Sequence, residues 1–157
     1  MSDHQSYVLI VDDLEDQADS MAELLELWGY ETASRYDGSA ALAVARARPP
    51  VAVLLDIGMP GMDGFHFVTR FRELPGCGAT PVVAVTGYET LAYQARQFGM
   101  AHFLLKPVAS CHLRALVERL AAARPMRFPA EPRPERRTTR SRSGTLGIDR
   151  GNHVTAN

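Results

Sequence analysis

The stretch that decides the fold is VAVLLDIGMPGMDG, residues 51–64, in which an aliphatic run ends on Asp56 and then breaks into glycine and proline. An apolar run without alternation predicts a strand that is buried on both faces, as the central strands of parallel sheets are. An ionised carboxylate at the end of such a strand costs free energy unless another group compensates its charge. We therefore expect a compensating group close to Asp56.

Similar short runs recur along the chain and alternate with segments of helical periodicity. The predicted strands are residues 7–11, 30–34, 51–55, 81–85 and 101–105, and the predicted helices are residues 16–28, 39–47, 64–74, 90–98 and 110–123. Strands joined by helices of this length pair in parallel, with helices on both faces of the sheet. The pattern predicts an α/β fold, a doubly wound (βα)5 arrangement with a parallel five-stranded sheet. The more polar ETASR, residues 31–35, predicts an edge strand.

Charge divides the chain of 157 residues into two parts. Residues 1–123 carry 9 Lys+Arg and 15 Asp+Glu, whereas residues 124–157 carry 8 and 3. The second part is rich in proline and arginine and has no apolar periodicity, which predicts a disordered basic tail after a single domain at 1–123. The tail is too short and too unpatterned for a helix-turn-helix, so we expect no dedicated DNA-binding domain.

Composition also excludes several classes of protein. The apolar runs are far shorter than the ~20 residues of a membrane span, and the N-terminus has no signal-like core. We therefore expect a cytoplasmic protein without a membrane partner. The two cysteines form no CxxC pair, which argues against a zinc site or a disulfide framework.

Chemically capable side chains follow four of the five predicted strands. They are Asp12 and Asp13, Asp56, Thr86, and Lys106. The carboxyl ends of parallel strands share one edge of the sheet, so these groups should converge there. Each has a bland alternative, since the aspartates could cap a helix or start a turn, the threonine could end its strand, and the lysine could be solvated. Lys106 is, however, the single lysine among 17 basic residues.

Electrostatics favours a cation among these acids. Two carboxylates ~4 Å apart repel by roughly 4 kcal/mol at an effective dielectric constant of 20. The ligands at the strand ends are oxygens, with no histidine or cysteine, and this donor set suits a hard divalent ion. Mg²⁺ is typical of sites that combine few carboxylates with water and phosphate oxygens.

At these positions the sequence resembles the receiver domain of two-component response regulators. The matching segments are VLIVDD at 8–13, LLDIGMPGMDG at 54–64, VVAVTG at 82–87 and FLLKP at 103–107. The likeness covers about residues 6–122 and depends on the whole set in this order. It implies a flavodoxin-like strand order of 2-1-3-4-5.

The resemblance also implies a function and a set of metal ligands. Asp56 would accept a phosphoryl group from a sensor histidine kinase or a histidine phosphotransfer protein. Asp13, Asp56 and the backbone carbonyl of Gly58 would bind Mg²⁺ directly, and Asp12 would act mainly through water. Such a protein is not an enzyme in the ordinary sense, because it catalyses only its own phosphorylation and slow dephosphorylation.

The remaining implied roles concern the phosphoryl group and the output. Thr86 and Lys106 would bind phosphoryl oxygens, and a cis bond before Pro107 would aim the lysine inward. Thr86 and Phe103 would form a switch that alters the surface of the fourth helix, fifth strand and fifth helix, where a downstream protein binds. Receivers more often carry tyrosine at the Phe103 position, and a plain core aromatic is the alternative.

Two other functions remain open. A haloacid dehalogenase-like phosphohydrolase also uses a strand-end aspartate and Mg²⁺, but it requires a second aspartate at the position of Gly58. The arginine-rich segment 133–142 could bind nucleic acid, although a short basic run binds phosphates without specificity. Within the receiver class, the sequence does not separate a free-standing regulator from a relay module.

Overall fold

The computed structural model describes residues 6–123 and contains five strands and five helices in strict alternation. The strands are β1 (Tyr7–Val11), β2 (Glu31–Arg35), β3 (Ala52–Asp56), β4 (Val82–Thr86) and β5 (His102–Leu105). The helices are α1 (Glu15–Leu27), α2 (Gly38–Ala47), α3 (Gly64–Glu73), α4 (Glu89–Gln97) and α5 (Ser110–Ala123).

The predicted elements are confirmed, with boundaries that differ by at most one residue. The differences matter at β3 and β4, which include Asp56 and Thr86 as their last residues instead of ending before them. A strand continues as long as its neighbour supplies partners, and the Ile57 N–H still donates to the Val85 carbonyl at 3.2 Å. Both side chains therefore stand on rigid backbone.

All five strands are parallel and lie in the order β2-β1-β3-β4-β5, as the resemblance implied. The central strands β1, β3 and β4 are buried along their whole length, whereas β2 is half-buried, which confirms it as an edge strand. The order reverses between β1 and β3, so a crevice opens at their carboxyl ends.

Two hydrophobic clusters cover the faces of the sheet. The first cluster contains the fully buried Phe67 and Phe71 of α3, together with residues of α2 and α4. Leu25 of α1 and Leu113 of α5 belong to the second. Burying an aromatic or aliphatic side chain of this kind contributes about 1.5–3 kcal/mol. The two layers hold the strand ends in fixed relative positions.

The start of α3 is pressed against the end of β3. The Asp63 carboxylate accepts a hydrogen bond from the His66 N–H at 2.9 Å and caps the helix, as expected for an aspartate before a helix. A methyl group at Gly64 would lie 2.8 Å from the Cα of Ile57, so only glycine fits there. This close approach fixes the loop between Asp56 and α3.

Two expectations concern residues outside this description. Helix α5 is described up to Ala123, and residues 124–157 lie outside the described residues, so the predicted domain end at 123 stays a prediction. The disorder of the tail, and nucleic-acid binding by 133–142, stay predictions. Among the residues that the structure describes, no helix has the length and apolarity needed to span a membrane.

Candidate functional site

Three carboxylates meet at the carboxyl edge of the sheet, as the strand ends predicted. Asp12 and Asp13 directly follow β1, and Asp56 ends the neighbouring β3. One oxygen from each lies within 4.8 Å of the others. Asp12 and Asp56 are buried and Asp13 is half-buried, so the cluster opens to solvent on one side.

Lys106 reaches this cluster from the far end of the sheet. Its Nζ lies 2.9 Å from Asp12 Oδ2 and 3.4 Å from Asp56 Oδ2, and 20% of the side chain is exposed. The Lys106 N–H donates to the Thr86 carbonyl at 2.8 Å, and the peptide bond to Pro107 is cis, as the resemblance implied. The solvated alternative for Lys106 is therefore wrong.

Asp12 is held by donors on both of its oxygens. Lys106 donates to Oδ2, and the backbone N–H of Leu14 donates to Oδ1 at 3.0 Å. Burial raises the pKa of the Asp12 carboxyl above its ordinary value, and these hydrogen bonds oppose that rise. Asp12 does not cap α1, because Leu14 precedes the helix and no side chain caps it.

Asp56 faces a loop that is tied to its own carboxylate. Its Oδ1 accepts a hydrogen bond from the Gly58 N–H at 3.0 Å, which leaves Oδ2 toward Lys106. Further along, Gly61 has a φ of 79°, a conformation that suits glycine. Met62 then lies against α2, where a methyl group at Gly38 would stand 2.7 Å from the Met62 Sδ.

Thr86 and Gly87 lie on the other side of Asp56. Thr86 is buried at the end of β4, and its Oγ1 accepts a hydrogen bond from the Tyr88 N–H at 3.1 Å. A methyl group at Gly87 would meet no atom within 4 Å. There is consequently open space at Gly87, directly after the strand that neighbours β3.

The donor set fits a hard divalent cation. Lys106 pairs with two of the three carboxylates, those of Asp12 and Asp56, so the cluster has a surplus of negative charge, and its ligand atoms are oxygens. Sites of few carboxylates with room for water are typical of Mg²⁺. Asp12, Asp13 and Asp56 could hold the ion, with the Gly58 carbonyl as a further oxygen donor.

Phe103 lies away from this cluster, on β5. It is 43% exposed, so the alternative of a plain core aromatic is wrong. With Leu105, which is 38% exposed, it places apolar surface on an edge strand. The structure does not bring Phe103 into contact with Thr86 in any hydrogen bond or ring contact among residues 6–123.

The fold, the acidic cluster and the lysine agree with one family of proteins, and the chain matches the response regulator receiver domain over residues 8–118. The chain belongs to the response regulator receiver family. The prediction of a receiver with strand order 2-1-3-4-5 is thus confirmed. Members of this family serve as phosphoacceptors in two-component signalling.

Individual relatives give the same result. The chain is 35% identical over 115 residues to the response regulator PleD of Caulobacter vibrioides, covering 72% of this chain but only 25% of PleD. It is 33% identical over 103 residues to the protein PilH of Pseudomonas aeruginosa, covering 64% of this chain and 85% of PilH. The solved structure of the chemotaxis protein CheY4 of Vibrio cholerae superposes with a TM-score of 0.69 at 28% identity, and the match covers 74% of this chain and 98% of the CheY4 chain.

One feature of the fold has no signal in the sequence. A groove of about 400 Å³ lies between α4, β5 and α5, and we call it the β5 groove. Its lining includes Arg96, His102, Phe103, Leu105, His112 and Arg119. The groove arises from how two helices flank an edge strand, so no local pattern in the sequence marks it.

Proposed function

We propose that this receiver domain accepts a phosphoryl group on Asp56 from a sensor histidine kinase or a histidine phosphotransfer protein, with Mg²⁺ as cofactor. The observation that supports it best is the placement of Lys106 Nζ 3.4 Å from Asp56 Oδ2, inside a cluster with Asp12 and Asp13. A buried nucleophile beside a cation and two further acids suits transfer of a negatively charged group.

The transfer needs little covalent chemistry from the protein. An oxygen of Asp56 forms a bond to phosphorus as the bond from phosphorus to the donor histidine nitrogen breaks, and that nitrogen keeps the electron pair and takes up a proton. Carboxylates are adequate nucleophiles for this step. The hydrogen bond from the Gly58 N–H to Oδ1 holds the carboxylate in one orientation for attack.

Charge neutralisation is the remaining task. In the loose transition state of phosphoryl transfer, negative charge is spread over the equatorial oxygens. Lys106 neutralises part of it, and Thr86 at the end of β4 supplies a hydroxyl donor, since its Oγ1 accepts from the Tyr88 N–H and keeps its own hydrogen to donate. Bound Mg²⁺ would supply further neutralisation on the carboxylates of Asp13 and Asp56.

The output is binding of a downstream protein at the surface of α4, β5 and α5. Phosphorylation would draw Thr86 toward the new phosphoryl group, and the exposed Phe103 would respond on the neighbouring strand, since Thr86 pairs with Leu105 in the sheet register. Coupling through one such two-state element is typical of phosphorylation switches.

Intact mass after incubation with acetyl phosphate and Mg²⁺ tests this proposal. We expect one added phosphoryl group, which EDTA prevents and Asp56→Asn abolishes. Asp63→Asn is the matched control, because Asp63 lies on the same loop but caps α3. Labelling that persists in Asp56→Asn would overturn the assignment of the phosphoacceptor.

The phosphohydrolase alternative makes a different prediction. Gly58 stands where that class of enzyme needs its second carboxylate, and the Gly58 N–H instead orients Asp56. We expect no steady turnover of p-nitrophenyl phosphate. Multiple turnovers that are lost in Asp56→Asn would favour the hydrolase.

A further inference from the structure

The β5 groove combines an apolar floor with cationic walls. Phe103 and Leu105 expose 43% and 38% of their surfaces on β5, although both are large apolar residues. Arg96 of α4 and Arg119 of α5 stand on opposite sides of it. Exposed apolar surface rimmed by charge is typical of a protein interaction site.

The charge of the walls is not balanced by the protein itself. Among residues 6–123, Arg96 and Arg119 make no ion pair, and no Asp or Glu lines the groove. The nearby Glu118 is paired with Arg114 at 2.9 Å. Residues 1–123 contain 15 acids and only 9 basic residues, so an all-cationic site stands out against an acidic domain.

The charges of the chain argue against two possible occupants of the β5 groove, a second copy of the protein and the chain's own tail. A second copy packed symmetrically through this groove would bring Arg96 and Arg119 of both copies together, and like charges in contact oppose association. The tail, residues 124–157, carries 8 Lys+Arg against 3 Asp+Glu and has the wrong charge. The remaining candidate is a different protein with negative charge.

We infer that the β5 groove binds an acidic segment of another protein, with an apolar side chain seated on Phe103 and Leu105 and carboxylates on Arg96 and Arg119. This inference rests on the proposed function, because it names the chemistry of the downstream partner. Guanidinium groups form bidentate pairs with carboxylates, which sets the orientation of the segment. His102 and His112 add imidazole donors along the same groove.

Three fluorescein-labelled peptides test the inference by anisotropy with the full chain. The first places glutamates around one leucine and one phenylalanine, the second replaces the glutamates by lysines, and the third replaces the two apolar residues by serines. We expect the first to bind, at least about tenfold more tightly than either of the others, with an affinity that falls as salt is added. Equal binding of all three would overturn the inference.

Charge reversal locates the site. Arg96→Glu with Arg119→Glu should weaken the acidic peptide by at least about tenfold and create binding of the lysine peptide. The matched control is Arg46→Glu with Arg70→Glu, two exposed arginines of α2 and α3 outside the groove, which has the same net charge and should leave both peptides unchanged. Equal loss of acidic-peptide binding in the control pair would overturn the assignment, as would a groove variant that binds neither peptide yet melts like the wild type.

The same samples separate this inference from the proposed function. Each titration is repeated after acetyl phosphate and Mg²⁺, with labelling of Asp56 followed by intact mass. If Asp56 is labelled but the three peptides bind equally, the inference of an acidic partner is overturned and Asp56 remains the phosphoacceptor. If the acidic peptide binds preferentially but Asp56 is not labelled, the proposed function is overturned and the acidic partner remains. Sedimentation should show a monomer; a dimer that the acidic peptide dissociates would assign the groove to a second copy instead.

Discussion

The two edges of the same sheet carry charged clusters of opposite character. At the carboxyl edge, oxygens of three carboxylates lie within 4.8 Å of one another, and Lys106 pairs with two of them, Asp12 and Asp56. At the amino edge, Arg48 stacks 4.2 Å from the centre of the Tyr7 ring and pairs with Glu31 at 2.7 Å, while the Tyr7 hydroxyl donates to the Arg48 carbonyl at 2.6 Å. One cation faces one anion there, whereas acids outnumber cations at the other edge.

The difference separates stability from function. In a balanced cluster such as Arg48 with Glu31 the two charges neutralise each other, so it should contribute to stability alone, although the buried Glu31 Oε2 accepts no hydrogen bond among the described residues. An unbalanced cluster such as that around Asp56 destabilises the protein when no ligand is bound, because its carboxylates repel one another. A bound cation would remove this repulsion. Perturbed or crowded ionisable groups are for that reason common at functional sites.

The largest effect should come from removing the cation that pairs with Asp56. Lys106→Met deletes the positive charge beside Asp56, and loss of a preorganised donor of this kind lowers rates by about 100-fold or more. We expect that loss in the rate of labelling by acetyl phosphate, followed by intact mass. Arg114→Met removes an exposed cation from α5 and should label normally; an unchanged rate in Lys106→Met would remove the lysine from the mechanism.

At the amino edge, the next effect appears at alkaline pH. Burial raises the pKa of Tyr7 from 10.0 to about 12. Above pH 10 the unfolded chain loses this proton while the folded protein keeps it, so stability falls between pH 10 and pH 12, by up to about 3 kcal/mol. We expect urea unfolding to show this fall, and Tyr7→Phe to reduce it. An equally steep fall in Tyr7→Phe would show that other groups cause it.

The balanced pair should matter for stability alone. Arg48→Met removes the ion pair with Glu31 and the stacking on Tyr7, which together should lower the free energy of unfolding by about 1–2 kcal/mol. Labelling of Asp56 should proceed at the wild-type rate. Arg46→Met, at an exposed position in the last turn of α2, is the control and should change neither quantity. Slower labelling in Arg48→Met would contradict the separation between the two edges.

The smallest effect has the opposite sign. Asp13→Asn relieves repulsion in the acidic cluster and should stabilise the metal-free protein by about 1 kcal/mol, while it reduces the rise in melting temperature on adding Mg²⁺. Thermal melts in EDTA and in Mg²⁺ measure both. Asp16→Asn, an exposed acid in the first turn of α1, should do neither. Destabilisation of Asp13→Asn in EDTA would argue against repulsion at this edge.

The order of apolar runs along the chain was enough to predict a parallel five-stranded sheet and the edge that carries Asp56, Thr86 and Lys106, whereas the strand order was predicted from the family resemblance. That success follows from geometry, since parallel strands place their ends together. The distances could not be predicted, because the position of the Lys106 ammonium depends on side-chain packing from a strand 94 residues away from Asp12. The exact residue at which each strand ends could not be predicted either, because it depends on the hydrogen-bond partners that the neighbouring strand supplies.

The β5 groove and the cluster at the amino edge could not be predicted from the sequence for a related reason. Arg48 and Tyr7 lie 41 residues apart, and no local pattern marks their contact. Arg96 and Arg119 lie on different helices, and each alone resembles an ordinary solvated arginine. Pairings of this kind exist only after the helices have packed.

The contact between Met62 and Gly38 carries a consequence for natural variation among receivers. The loop that follows Asp56 leans on the first residue of α2, and a methyl group at position 38 would stand 2.7 Å from the Met62 Sδ. Relatives with a residue larger than glycine at position 38 should carry a residue smaller than methionine at position 62. The two positions should therefore covary, and exchanging one of them alone between relatives should displace the loop beside the phosphoacceptor.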